Sequence, residues 1–210
     1  MQPTRQFELT KGGVDMKTSR VVNFREIMIT VILSMICGVA YFGWGFFYNV
    51  LDAALPSSTE LIYGLWFVAS IITAYIVQKP GVAMLSEVAA AFVEMIFGGQ
   101  WGLSTLVFGL IQGAAAELIF AGFRYRSFHL GVVVLAGMAS AAASIPIDYY
   151  QGYIGDLTTG MLVLKIVLRL LSGAILAGVL GKVVGDLLAK TGVLNSYLLV
   201  RSKSDRKPAF

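Results

Sequence analysis

The chain has 210 residues, 57% of them hydrophobic and only 13% charged, with a formal net charge of +4 and a mean hydropathy of +0.78. A soluble domain carries about 25% charged residues, so this composition excludes an ordinary soluble core and points to an integral membrane protein. The single cysteine, Cys37, lies in an apolar run and excludes a disulfide framework. The basic residues lie at the chain ends and in short loops rather than on one polar face, which argues against nucleic acid as a partner.

Residues 1–25 read as a disordered cytoplasmic tail, with Met16 as an alternative start. The first apolar run continues from Ile27 to Leu51 without a charge, too long for a signal-peptide core of 7–15 residues. Crossing about 30 Å of hydrocarbon takes roughly 20 helical residues. Six segments are predicted to do so: about 27–47, 61–78, 82–97, 102–122, 130–150 and 161–185. Proline, glycine and charge end such helices. The breaks are Pro56-Ser57-Ser58, Lys79-Pro80-Gly81, Gly98-Gly99-Gln100, Arg124-Tyr125-Arg126 and Gln151-Gly152. The third segment is short and holds two glutamates. Residues 26–190 thus form one all-α membrane bundle of six helices, followed by a basic cytoplasmic tail over 191–210.

The basic residues alternate between the connections. Arg5, Lys11, Lys17, Arg20 and Arg25 precede the first span, Lys79 follows the second, and Arg124 and Arg126 follow the fourth. Lys182, Lys190, Arg201, Lys203, Arg206 and Lys207 close the chain, whereas 48–60, 98–101 and 151–160 hold no Lys or Arg. By the positive-inside rule both termini are cytoplasmic. The helices are rich in small residues, which pack closely in lipid. Thr30, Ser34 and Gly38 form a ridge at four-residue spacing that suits either internal packing or a partner helix.

A charge at mid-membrane costs at least ~2.5–3.5 kcal/mol, so Glu87, Glu94, Glu117, Asp148, Lys165, Arg169 and Asp186 each require a cavity, a partner or a site. Glu87 and Glu94 are two helical turns apart and share a face, with Glu94 in the outer half. Gln112 falls near the middle of the fourth helix and Glu117 deeper. Lys165 and Arg169 share a face in the outer half of the sixth, at a depth where Asp148 can pair with either. The glutamates have no equal supply of cations, and Glu94 faces the half where a ligand would enter. The outer ends carry Tyr41, Trp44, Phe46, Phe47, Tyr48, Tyr63, Trp66, Trp101, Tyr149, Tyr150 and Tyr153. Most fit an interfacial belt, but carboxylates beneath aromatic faces also suit an organic cation.

No G-x-x-x-x-G-K-[ST] loop is present, His129 is the only histidine, and G-x-S-x-G is absent. The sequence therefore reads as a non-enzyme with no bound nucleotide or other cofactor. A ligand-binding membrane subunit is the leading reading. The alternative is a stand-alone proton- or ion-coupled carrier of a small organic cation, with Glu87, Glu94 and Glu117 as proton sites.

Three stretches carry a resemblance: YGLWFVASIITAYIVQKPGVAMLSEVAAAFVEMIFGG (63–99), GLIQGAAAELIF (109–120) and RLLSGAILAGVLGKVVGDLLAKTGVLN (169–195). They resemble the YkoE-type substrate-binding (S) component of energy-coupling factor (ECF) vitamin importers, over roughly 16–197. The resemblance implies a six-helix bundle in a prokaryotic cell membrane that captures thiamine, or its hydroxymethylpyrimidine precursor, from outside. It also implies partners, a transmembrane coupling protein and two cytoplasmic ATPases, with docking through the small ridge on the first helix. Ser34 and Gly38 stand there where alanines are usual. From depth rather than from the resemblance, Glu94 and Gln112 are expected to anchor the aminopyrimidine or the cation, with Trp66 and Tyr63 stacking on it, Glu87 or Glu117 supporting from below, and Asp148 among the site residues.

Overall fold

The computed structural model of the protein describes residues 22–55, 58–155, 157–192, 194 and 197, and every regular element among them is helical. Helix α1 spans Phe24–Ala54. A 3-10 helix, Ser58–Phe67, runs directly into α2, Val68–Val77. Helices α3, Val82–Ile96, α4, Ser104–Gly122, and α5, Leu130–Tyr150, follow. Helix α6, Thr159–Ser172, continues through a π-helical stretch, Gly173–Val179, into α7, Leu180–Lys190. Positions 1–21 and 198–210 of the two expected tails lie outside the described residues.

Five stretches are long and apolar enough to cross a bilayer: Phe24–Ala54, Ser58–Val77, Ser104–Gly122, Leu130–Tyr150 and Thr159–Lys190. They match five of the six expected spans. The remaining one, expected over 82–97, is a helix of 15 residues, about 22 Å long at 1.5 Å per residue and short of the ~30 Å hydrocarbon core. The second stretch starts at Ser58, earlier than expected, and so draws Glu60 into the bundle.

Every residue of α2 is buried, as a helix apolar on all faces requires, and the other elements pack around it. The sequence α1 on α3, α3 on α4 and α4 on α5 makes one wall; α5, α6 and the π stretch close the other side. The outward faces are apolar, with Ile36 on α1, Phe92 and Ile96 on α3, Leu118 on α4 and Ile175 on the π stretch exposed. Inside lie Ser70, Thr73, Ser86, Glu87, Ser140, Ser144 and Arg169. Polar groups within an apolar shell fit lipid as the outer solvent.

Thr30, Ser34 and Gly38 are a correction to the expected docking face, because all are buried inside the chain. The Thr30 hydroxyl donates to the Glu26 carbonyl (2.8 Å) and the Ser34 hydroxyl to the Thr30 carbonyl (2.7 Å). A Cβ at Gly38 would stand 2.7 Å from the Val93 Cβ. The ridge brings α1 against α3. Small residues serve close approach inside a bundle as readily as between proteins.

At the end opposite the aromatic cluster, Lys79 pairs with Glu26 at 2.7 Å. Glu26 also accepts from the Asn23 backbone N–H (2.7 Å) at the start of α1. Helix α3 begins after Gly81, in the left-handed region at φ 84°, which offers no side chain to cap the helix. Glu117 supplies the cap from α4, accepting from the backbone N–H groups of Gly81 (2.5 Å) and Ala83 (2.9 Å). The Tyr125 hydroxyl donates to the same carboxylate at 2.6 Å. Burial first, and then the hydrogen bond to Glu117 and its charge, push the Tyr125 phenol above its ordinary pKa.

Candidate ligand-binding site

A cavity of about 550 Å³ opens at the other end of the bundle, within the size range of small-molecule sites. Its walls come from the late turns of α1, the 3-10 helix, α3, the turn before α4, α4 itself, the end of α5 and α6. Glycine lets two of these walls meet. A Cβ at Gly109 would lie 2.6 Å from the Ala91 Cβ, and one at Gly113 2.8 Å from the Glu87 Cβ. Helix α4 therefore lies tight on α3, and Gln112 and Glu87 share one lining.

The 3-10 helix is ten residues long, where runs beyond 3–4 are uncommon. Its tighter winding presents Tyr63 and Trp66 to the cavity. It is pinned on two sides. The Trp44 indole donates to the Ile62 carbonyl (3.2 Å), and Ser172 accepts from the Gly64 N–H (2.8 Å) while donating to the Leu61 carbonyl (2.8 Å). Trp66 then makes edge contacts with Tyr48, Trp101 and Tyr63, at ring-centre separations of 4.8, 5.0 and 5.7 Å. This is an aromatic cage rather than a belt facing lipid, whereas Phe46, Phe47, Tyr149 and Tyr150 are exposed.

The charged groups divide into two sets. In the closed set Arg169 is buried with all its nitrogens engaged. Nε and Nη2 donate to Glu60 at 2.5 and 3.0 Å, and Nη1 reaches Asp148 at 2.5 Å and the Ser144 hydroxyl at 3.0 Å. Lys165 pairs with the same Glu60 at 2.8 Å. The guanidinium also sits 3.8 Å over the centre of the Tyr63 ring, occupying one face expected to stack on a ligand. Lys165 and Arg169 thus offset Glu60 and Asp148.

The open set is Glu87, Glu94 and Asp52. All three line the cavity and make no ion pair among the described residues. Glu87 accepts from the Ser70 N–H at 2.9 Å and from Tyr41, whose own oxygen accepts from the Ala69 N–H at 2.8 Å. Glu94 is 2% exposed. Its Oε1, the Trp66 indole nitrogen and the Thr105 hydroxyl are buried and make no hydrogen bond of good geometry among the described residues, the Trp66 indole N–H interacting only loosely with the Glu94 carboxylate. Buried polar groups are normally satisfied, so three such atoms on one cavity mark an incomplete set of bonds.

Of the residues singled out from the sequence, Glu94, Gln112, Trp66, Tyr63, Glu87 and Asp148 all line this cavity. Gln112 donates to the Tyr63 hydroxyl at 3.4 Å and is steadied by Ser140, whose hydroxyl donates to the Gln112 carbonyl at 2.8 Å. Asp148 is committed to Arg169. Glu117 is a second correction: it is not among the cavity residues, because its carboxylate caps α3 at the opposite end. Glu60 was missed, having been placed in the loop ahead of the second span. Thr105, Asn49 and Gln100 were also missed, as short polar residues at helix ends carry little signal of their own. The Asn49 and Gln100 side chains hydrogen-bond to each other at the mouth.

Residues 25–143 match the family described as the permease component of an ABC-type cobalt transport system. The chain is 42% identical over 187 residues to the putative HMP/thiamine permease protein YkoE of Bacillus subtilis (strain 168), covering 88% of this chain and 94% of that protein. A crystal structure of an S-component of an ECF transporter superposes with a TM-score of 0.85 at 40% identity, covering 88% of this chain and 94% of the other. These relatives are membrane transport components and not enzymes. The fold, the incomplete cavity and this similarity agree: the chain belongs to the YkoE-type S components of ECF transporters.

Proposed function

We propose that the chain captures thiamine, or its hydroxymethylpyrimidine portion, at the outer face of a prokaryotic cell membrane. It hands the ligand to a transmembrane coupling protein driven by two cytoplasmic ATPases. The observation that carries the ligand reading is a cavity whose acids outnumber its cations and in which Glu94 Oε1, Trp66 Nε1 and Thr105 Oγ1 make no hydrogen bond of good geometry. A quaternary thiazolium supplies the missing positive charge. An aminopyrimidine edge supplies a donor for Glu94 and an acceptor for Trp66. The aromatic cage adds cation–π attraction, ~2 kcal/mol when desolvated.

Orientation follows from charge. Lys79, Arg124 and Arg126 lie in the connections at the end opposite the cavity mouth, and the connections around the mouth hold neither Lys nor Arg. The positive-inside rule then turns the cavity outward and puts both termini in the cytoplasm. The relative's name supports the ligand class. The chain brings no nucleotide-binding loop of its own, which fits an energy source supplied by partners. Native mass spectrometry of the gently solubilised protein tests the reading. A co-purified or added mass of thiamine or hydroxymethylpyrimidine is expected, and a protein that takes up neither overturns it.

A further inference from the structure

Recognition of a phosphate needs free cationic forks, a free ammonium or uncapped helix N-termini. The cavity borders on each of these, and those that line it already have partners within the chain. Arg169 gives two nitrogens to Glu60 and the third to Asp148 and Ser144, while Tyr63 covers its face at 3.8 Å. Lys165 is held 2.8 Å from Glu60. The N-terminus of α4 reaches the cavity at Thr105. Its Ser104, Thr105 and Leu106 N–H groups fold back onto the carbonyls of Trp101, Gly102 and Leu103 at 3.1, 3.2 and 3.1 Å. The N-terminus of α6 reaches it at Met161, whose N–H is capped by the Thr158 hydroxyl at 3.5 Å. What remains unpaired is acidic: Glu87 and Glu94 within, and exposed Asp52 at the mouth.

We infer that the cavity rejects phosphorylated and other anionic forms of its ligand, and that Glu60 determines this specificity by neutralising the two cations a phosphate would use. Asp52 adds like-charge repulsion at the entrance. Discrimination here is built from unfavourable contacts with the wrong molecule as much as from favourable contacts with the right one. The inference rests on the ligand reading above and adds a charge rule to it.

The test is calorimetric titration of the purified full-length protein with thiamine and with thiamine monophosphate. The monophosphate is expected to bind at least tenfold more weakly. Glu60→Gln, which releases Lys165 and one edge of Arg169, is expected to shrink that ratio at least threefold. Asp52→Asn, at an exposed position in the last turn of α1, is expected to shrink it in the same direction and stands alone where Glu60→Gln does not fold. Monophosphate within tenfold of thiamine in the unaltered protein overturns the inference while leaving the thiamine site intact. A ratio unmoved by every variant that folds overturns the assignment to these residues. Binding of neither compound overturns the ligand reading and this inference together.

Discussion

Replacing Glu94 with glutamine separates a ligand-binding acid from a structural one, because the two roles predict opposite signs. The side chain is 2% exposed and its Oε1 makes no hydrogen bond of good geometry among the described residues, the Trp66 indole N–H contacting the carboxylate only loosely. The empty protein therefore loses little when the charge is removed. It also gains relief from keeping a carboxylate out of water, a burden of up to ~2.5–3.5 kcal/mol on insertion scales, which is the cost at the membrane centre. The loaded protein loses a charge-assisted bond, ~1.5–3 kcal/mol, or about 10- to 150-fold in Kd at 1.4 kcal/mol per decade. Isothermal titration with thiamine reads the affinity. Tryptophan fluorescence gives a second signal, since Trp66 and Trp101 meet at 5.0 Å in the cavity wall. Thermal unfolding in detergent without ligand should give a Tm equal to or above that of the unaltered protein. An affinity within twofold of the original, or a Tm that falls by several degrees, refutes the reasoning.

Arg169→Met leaves Glu60 and Asp148 buried without their main cation and should cost ~3–5 kcal/mol, read as a large fall in Tm or in folded yield; removing Glu60 as well should restore part of the loss, and an unchanged Tm for the single variant would refute the closed network. Glu117→Gln weakens the α3 cap by ~1–2 kcal/mol while thiamine affinity stays within twofold, since the residue is remote from the cavity; a tenfold loss of affinity would return Glu117 to the site.

The sequence made the open acids legible because helical periodicity is local. Glu87 and Glu94 stand two turns apart, and both line one cavity. Depth arithmetic also brought Asp148 to Arg169. It failed where an element departs from the α-helix. The second span begins as a 3-10 helix at Ser58, so Glu60, counted as loop, lies inside and takes both cations. Glu117 was assigned by depth alone. The missing signal was the uncapped start of α3 after Gly81, which needs an acceptor from elsewhere. The ridge of Thr30, Ser34 and Gly38 could not be assigned from sequence, because packing within and between proteins uses the same small residues.

The unsatisfied atoms narrow the ligand further than charge does. A simple quaternary ammonium could rest in the cage of Tyr48, Trp66 and Trp101 near Glu94, but it has no acceptor lone pair. The Trp66 indole N–H only donates, so beyond its loose contact with the Glu94 carboxylate it would gain no acceptor, a loss of up to ~1–3 kcal/mol. Glu94 would gain a contact of charge without a hydrogen bond. An aminopyrimidine carries a ring nitrogen that accepts beside an amino group that donates, and so can serve Trp66 and Glu94 at once. Choline should therefore compete with thiamine about 5- to 150-fold more weakly at 1.4 kcal/mol per decade, while neutral hydroxymethylpyrimidine keeps measurable affinity, as judged by displacement in a fluorescence titration. If choline competes as well as hydroxymethylpyrimidine, charge and the aromatic faces govern recognition and the unsatisfied indole plays no part.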